Sequence, residues 1–316
     1  MAPTSTRKSW LRLFISVVLL LAAAFYTVRL LHGQLHQFSS ALSSVSPPRL
    51  AIGQLFSFLL LLCPLCYHIL AVERVSGIRG ERRKIASAYA LSQIVRYVPG
   101  KVLGVLFELS YLRGTVRADA LLVATTAQGI YQYACVAAIA IPLLLAWALG
   151  SQWPWLISLV AIVLIYFSHR LGWCERPLLW TTRNMSRARE ATTLEPWHAP
   201  IAATTFLAAE WIFFIGAWYV LDLGTPYVMP YVLLATCYAA AAALGAIAVF
   251  VPSGLVVRES IFLWMAHQLH FDSVTVLAYA AIFRIWLTAG DILVALAFGM
   301  FLHFSSDSSR IGTERS

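Results

Sequence analysis

Charged side chains that could bind a ligand or take part in chemistry lie beside two Pro/Gly breaks in otherwise apolar segments of this 316-residue chain. Arg96, Lys101 and Glu108 accompany the first break, and Arg258 and Glu259 accompany the second. An Arg, Lys or Asp near the centre of a membrane helix costs about 2.5–3.5 kcal/mol, so such residues usually face the protein interior and find partners. We predict that these side chains belong to a polar pathway. The alternative is that they are ion pairs holding helices together.

Three further ionisable residues, Glu210, Arg284 and Asp291, stand within later apolar segments. Arg284 and Asp291 are seven positions apart, as are Lys101 and Glu108. Seven residues are about two helical turns, which places the members of each pair on roughly one face. These residues extend the same two interpretations, a polar pathway or internal pairing.

The backbone at the breaks indicates what a pathway would carry. A helix that begins after Pro99-Gly100, or after Pro252-Ser253-Gly254, presents free N–H groups and its positive dipole end to a cavity. Such helix ends bind phosphate and carboxylate groups, and Lys101 and Arg258 would add cationic partners. The predicted ligand is therefore anionic, either a phospholipid headgroup or a polyprenyl-phosphate-linked lipid that reaches the site from the bilayer.

Composition determines the elements that must position these residues. Hydrophobic residues make up 60% of the chain and charged residues 12%, whereas soluble domains carry about 25% charged residues. The apolar runs are long and lack the alternation of barrel strands, so we expect helices. We predict an all-α, polytopic transmembrane bundle forming one membrane domain over residues 1–316. The net charge of +9 comes from Lys and Arg in loops, and no nucleic-acid-binding module is recognisable.

About six to eight spans are predicted, because two of the apolar stretches exceed the roughly 20 residues that cross a bilayer. The predicted stretches are Trp10–Leu31, Leu50–Val72, Ala118–Leu149, Trp153–Ser168, Pro200–Leu221, Met229–Val251 and Ser273–Phe304. Gln128-Gly129 is a candidate point for a bend or division of the third.

Two segments, Ile85–Leu112 and Val251–Gln268, carry the breaks and have arms too short to cross alone. We predict that both are re-entrant or broken helices that pack together near the middle of the membrane. Each half of the chain thus has spans, a Pro/Gly break with charge, and more spans, which predicts an internal two-fold repeat. Paired broken segments of this kind are typical of midplane sites in transporters.

Basic residues also predict the orientation. Arg7 and Lys8 precede the first apolar run, and the segments Glu73–Lys84 and His169–Glu195 are rich in Arg. Lys and Arg accumulate on the cytoplasmic side of membrane proteins. We predict a multi-pass protein of the cell membrane with its N-terminus and both segments in the cytoplasm.

The first break carries a recognisable signature. Ser92-Gln93-Ile94-Val95-Arg96-Tyr97-Val98-Pro99-Gly100-Lys101 resembles a motif of the lysylphosphatidylglycerol synthase transmembrane-region family, whose members are flippase-like membrane proteins. The segment Pro252–Ser260 resembles the family's second motif and keeps Arg258-Glu259, although Ser253, Val256 and Ser260 stand where glycines are typical.

The resemblance implies a lipid or lipid-linked glycan translocase. In the family's bifunctional members a separate soluble domain attaches the amino acid, and we expect that domain to be absent because the chain ends soon after its last apolar run. We accordingly expect no enzyme activity, no cofactor and no metal site. The alternative is a non-transporting membrane subunit that scaffolds a glycosyltransferase or lipid synthase partner.

Overall fold

The structure, a computed structural model, describes residues 39–313 except 41–42, 44, 96–102, 151–153, 187–199, 222–226 and 248–256. Every regular element in these ranges is an α-helix, which confirms the predicted all-helical class for this part of the chain. In chain order the helices are α1 Pro47–Ser76, α2 Arg82–Val95, α3 Leu103–Tyr111, α4 Ala118–Leu149, α5 Pro154–Leu171, α6 Glu175–Ser186, α7 Pro200–Tyr219, α8 Met229–Ile247, α9 Val257–Gln268 and α10 Ser273–Thr313.

Local signals in the sequence explain where two of the long helices start and stop. Pro47 opens α1, where the missing N–H of proline costs nothing. Gly77 closes α1 with φ of 71°, and its N–H donates to the Glu73 carbonyl. Asp272 caps α10, because its carboxylate accepts the N–H of Thr275 at 2.8 Å.

Four of these helices are long and apolar enough to cross a membrane: α1, Ala118–Ala146 of α4, Ile201–Tyr219 of α7 and Ser273–Phe298 of α10. A fifth span results if α5 and α6, which meet at a bend of 44°, are counted together. The six to eight predicted spans are thus not confirmed within the described part of the chain. The predicted span Trp10–Leu31 lies outside the described residues.

Helix α1 lies at the centre of the bundle and packs against α2, α4, α7 and α10. Its contact with α10 is unusually close. A Cβ built on Gly53 would lie only 2.0–2.5 Å from ring carbons of Trp286, and the Gln54 side chain donates to the Trp286 carbonyl at 3.1 Å. Glycine therefore allows the indole ring to rest directly on the α1 backbone.

A buried aromatic cluster fixes the second half of the bundle. Trp218 of α7, Tyr238 of α8, Phe262 of α9 and Phe283 of α10 are each at most 2% exposed. Five pairs of their ring centroids are separated by 5.2–5.5 Å with tilted or edge-on geometry. Aromatic pairs prefer this range and orientation, so the cluster sets the relative position of four helices.

Helices α2 and α3 form an antiparallel hairpin around residues 96–102. At its closed end Gly104 lies against the Ser92 carbonyl, where an added Cβ would be 3.0 Å away. At its open end Lys84 donates to the Thr115 hydroxyl just beyond α3. The chain therefore enters and leaves this hairpin on the same side.

A second hairpin is formed by α8 and α9 around residues 248–256. Gly245, in the last turns of α8, lies against Arg258 in the first turn of α9. The described part of α9 packs mainly on α8 and α10, and that of α2 mainly on α1, α3 and α10. Direct packing of the two broken segments on each other, as the sequence analysis expected, is therefore not a main contact of the residues described.

The order of helices in the two halves is similar. Each half contains four consecutive helices with a break between the second and the third. The four are α1 to α4 in the first half, with the break between α2 and α3, and α7 to α10 in the second half, with the break between α8 and α9. Several packing pairs also correspond: α1–α2 with α7–α8, α2–α3 with α8–α9, α3–α4 with α9–α10, and α4–α8 with α10–α2.

Two segments differ from the sequence-based expectation. The basic segment His169–Glu195 was expected to be a loop, but it contains α6, because Leu179 on one face of that helix is buried against α4. Ala118–Leu149 was a candidate for division at Gln128-Gly129, yet it is one continuous helix. Burial of an apolar face against a neighbouring helix is a tertiary effect that local charge does not reveal.

Candidate functional site

A cavity of about 600 Å³ lies among seven helices of the bundle. Its apolar wall comes mainly from α1, α4, α7 and α8. Its polar wall consists of Tyr89 and Gln93 of α2, Gln132 of α4, Glu210 of α7, Tyr238 of α8, Arg258 of α9, and Arg284 and Asp291 of α10. A concave site of this size with a few converging polar groups in an apolar surround is typical of small-molecule binding sites.

Two guanidinium groups share one carboxylate oxygen at this cavity. Glu259 Oε1 accepts from Arg258 Nη2 at 2.6 Å and Nε at 3.2 Å, and from Arg284 Nη1 at 3.4 Å. The Arg258 guanidinium also lies 4.7 Å from the centre of the Tyr238 ring, a cation–π contact. With two cations and one anion, the cluster carries a net charge of +1.

Two other carboxyl groups, those of Glu210 and Asp291, also line the cavity. The Glu210 carboxylate accepts from the Gln132 side-chain amide, whose nitrogen is 3.3 and 3.4 Å from its two oxygens. Asp291 is 2% exposed and also lines the cavity. The described part of the cavity therefore has cationic and anionic groups, rather than cations alone.

A second polar cluster lies beside the cavity and joins α1, α3 and α4. His68 has no exposed surface; its Nε2 is 2.5 Å from Glu108 Oε1, and its Nδ1 is 2.8 Å from Gln128 Oε1. The Gln128 amide nitrogen donates to the Pro64 carbonyl at 3.0 Å, with the Tyr89 hydroxyl at 3.5 Å. Tyr89 stacks on the imidazole with ring centroids 4.5 Å apart and also lines the cavity.

A third cluster ties together the two basic segments. Arg74 Nη1 donates to the His169 carbonyl at 2.8 Å and to Glu175 Oε1 at 3.0 Å, while the Tyr131 hydroxyl donates to Glu175 Oε2 at 3.1 Å. Arg74 belongs to Glu73–Lys84, and His169 and Glu175 belong to His169–Glu195. The two segments predicted to be cytoplasmic therefore lie at the same end of the bundle.

The structure brings several predicted site residues into one place. Arg258, Arg284, Glu210 and Asp291 all line the cavity, and Glu259 is held between the two arginines. Glu108 is not part of the cavity wall, because its carboxylate is turned to His68. The remaining predicted residues lie outside the described part of the chain: Arg96, Tyr97, Pro99, Gly100, Lys101, Pro252 and Gly254.

Several polar residues of these clusters were not singled out from the sequence. The strongest missed residue is His68, and the signal that could have found it is its position as the only histidine of the apolar run Leu50–Val72. Gln128 and Gln132 were likewise visible as amides within the Lys- and Arg-free run Ala118–Leu149. Buried amides in a membrane helix usually hydrogen-bond to another helix, as both do here.

Comparison with known proteins adds no assignment, because no family model and no curated protein matches the chain.

Proposed function

We propose that the protein translocates a lipid or a lipid-linked glycan across the membrane, and that the cavity receives the anionic headgroup of this lipid. The observation that carries the proposal is the convergence of Arg258 and Arg284 on a single Glu259 oxygen in the wall of a cavity between apolar helices. The resemblance of Ser92–Lys101 and Pro252–Ser260 to the flippase-like family supports the same reading.

The geometry of the arginines suits an anion. Among the described residues Arg258 uses two of its five N–H groups on Glu259, so further donors are available for a ligand. Guanidinium groups bind phosphate through paired, charge-assisted hydrogen bonds. A phosphate placed between Arg258 and Arg284 would accept hydrogen bonds from both guanidinium groups.

The apolar part of the cavity suits the hydrocarbon portion of the same ligand. Leu60 and Leu61 of α1, Leu207 of α7 and Leu287 of α10 line it together with the arginines. A headgroup on the polar wall and a chain along these leucines is the arrangement expected for an amphiphile, not for a soluble anion.

We also propose that the two halves form an internal repeat, that both hairpins are re-entrant, and that the Arg74 end of the bundle faces the cytoplasm. The corresponding helix orders and packing pairs of the halves support the first point. The shared contacts of the two basic segments support the last, since Lys and Arg accumulate on the cytoplasmic side.

Reconstitution in phosphatidylglycerol vesicles containing a trace of fluorescent phosphatidylglycerol tests the function. Wild-type protein should speed movement of the probe between leaflets, and Arg258→Ala and Arg284→Ala should each reduce this rate at least about tenfold, equivalent to 1.4 kcal/mol of lost interaction. Arg113→Ala is the matched control, because Arg113 is exposed outside the cavity. Arg258→Lys should rescue only partly, since a lysine cannot form the bidentate fork.

Glu259→Gln separates headgroup binding from structural pairing. If the arginines bind an anion, removing the carboxylate charge should preserve or raise affinity for the anionic probe. If the cluster only ties α9 to α10, Glu259→Gln should instead lower stability as the arginine variants do, and probe movement should follow stability alone. Stable protein that moves no probe of any class would favour the scaffolding reading.

A further inference from the structure

The cluster of His68, Glu108 and Gln128 has a defined number of protons. The Gln128 amide nitrogen donates to the Pro64 carbonyl, so its oxygen is the atom that faces His68 Nδ1. Nδ1 must therefore carry a proton and donate it. The contact between His68 Nε2 and Glu108 Oε1, at 2.5 Å, then requires one more proton between the two atoms.

The pair is electrically neutral wherever that shared proton resides. On Nε2 it gives an imidazolium facing a carboxylate, and on Oε1 it gives a neutral imidazole facing a carboxylic acid. Both arrangements keep the hydrogen bond, and both avoid an uncompensated charge where His68 and Glu108 are at most 2% exposed.

We propose that His68 and Glu108 form a proton-binding site that couples proton movement to lipid movement through the neighbouring cavity. This inference rests on the proposed translocase function and supplies its energy source. When the shared proton leaves, the lone pair of Nε2 faces a carboxylate and the buried pair carries a charge of −1. The hydrogen bond is lost and the two groups repel each other.

The proton has a short route out. Tyr89 stacks on the imidazole, receives the Gln128 amide contact and lies in the cavity wall, so water entering the cavity comes within one side chain of the pair. The proton leaves His68–Glu108 for such a water molecule, which becomes hydronium, and returns by the reverse step. No other reactant is required.

Titratable groups in the described part of the surrounding helices include Tyr89 on α2, Glu108 on α3, Glu210 on α7 and Asp291 on α10. Helix α1 itself carries Cys63, Cys66 and Tyr67, whose hydroxyl bonds His169, and α4 presents the uncharged Gln128. Glu210 and Asp291 are cavity residues, so Glu108 is the only carboxylate that the structure places in hydrogen-bond contact with His68 among the residues described.

Loss of the proton has a direct mechanical consequence. Helix α3 has only nine residues and is held by the Glu108–His68 bond, by the close contact of Gly104 with Ser92, and by apolar contacts near Leu109. Repulsion between Glu108 and His68 would weaken the attachment of α3, which packs on α2, and α2 carries Tyr89 and Gln93 of the cavity wall.

A proton count tests the site without any lipid substrate. Purified wild-type protein and Glu108→Gln in detergent are titrated with a pH indicator over the whole pH range in which both stay folded. Wild type should release one proton per chain more than Glu108→Gln. Equal counts for wild type and Glu108→Gln overturn the proposal.

A gradient experiment tests the coupling. In vesicles clamped at zero membrane potential, a difference of two pH units, or about 100-fold in proton activity, should drive up to ~100-fold asymmetry of fluorescent phosphatidylglycerol between leaflets if one proton moves per lipid. Glu108→Gln should move the probe without this asymmetry, and Arg113→Ala should behave as wild type. Probe movement by wild type that ignores the gradient overturns the coupling but leaves the translocase intact. Absence of any probe movement refutes the translocase function. The proton count then remains as the test of whether His68 and Glu108 bind a proton.

Discussion

The contact of Gly53 in α1 with Trp286 in α10 yields the sharpest stability prediction. Replacing Gly53 by alanine places a methyl group where the Trp286 ring carbons now lie, 2.0–2.5 Å away. Carbon atoms in contact normally sit about 3.5–4.0 Å apart, so roughly 1.5 Å of movement is needed. Trp286 is only 4% exposed, and the ring is rigid, so this movement must come from α1 and α10 separating or from the indole leaving its site.

The expected cost follows from this overlap. One extra methyl in a packed core costs about 1–3 kcal/mol, and the extent of the overlap places Gly53→Ala near the upper end. Separation of the helices would also stretch the bond from Gln54 to the Trp286 carbonyl. We therefore expect a clear loss of stability in thermal unfolding of detergent-purified protein, followed by loss of the monodisperse peak in size-exclusion chromatography.

Gly129→Ala is the matched control, because nothing lies within 4 Å of a Cβ at that position of α4. It should be neutral or more stable by about 0.5–1 kcal/mol, since alanine is the better helix former. The double variant Gly53→Ala/Trp286→Leu should recover part of the lost stability, because the two positions are coupled through one contact. If Gly53→Ala is as stable as Gly129→Ala, the proposed closeness of α1 and α10 is refuted.

Two further predictions concern single side chains. Arg74→Ala should lower the free energy of unfolding by about 3–5 kcal/mol, because it leaves the buried Glu175 carboxylate without its cation. Arg82→Ala, which removes an exposed ion pair, should change that free energy by under about 1 kcal/mol. Equal losses of the two variants in chemical denaturation would contradict this prediction. Asp272→Ala should cost about 0.5–2 kcal/mol at neutral pH by removing the cap on Thr275. The Thr275 hydrogen bonds hold the pKa of Asp272 below its ordinary value of 3.8, so this stabilisation is complete above that value and is lost as the pH falls through the folded-state pKa. Thermal unfolding followed against pH should show the difference between wild type and Asp272→Ala vanish in acid, and a difference that persists there would refute the capping role.

The positions of the long helices could be predicted well from the sequence. Hydrocarbon length and the need to satisfy every backbone group leave few choices for an apolar run, and the helices α1, α4 and α7 begin and end close to the predicted limits. The position of Arg258 and Arg284 at a polar cavity was predictable for a related reason. A guanidinium in an apolar segment must find a polar surround, and here that surround is the cavity.

The partners of these residues could not be predicted. Glu108 was expected on the same helical face as Lys101, but its partner His68 lies 40 residues earlier in the chain, on a different helix. Arg284 likewise meets Glu259 across 25 residues. Such contacts depend on which helices become neighbours, and helical spacing along the sequence carries no information about that. The sequence analysis expected the two hairpins to pack on each other because the sequence does not show which helices become neighbours.

The position of α2 bears on how the chain is made. Its Ser87 hydroxyl donates at 2.7 Å to the carbonyl of Phe298 in α10, which is 211 residues later. At about 5–20 residues per second a ribosome needs roughly 10–40 s to synthesise that interval. During this time the face of α2 that contacts α10 in the complete fold is uncovered. Helix α2 is too short and not apolar enough to cross a membrane as an independent span. The buried face of α2 therefore stays uncovered until the last helix is made, and we expect a chain truncated before Ser273 to be degraded rather than to accumulate as a stable fragment.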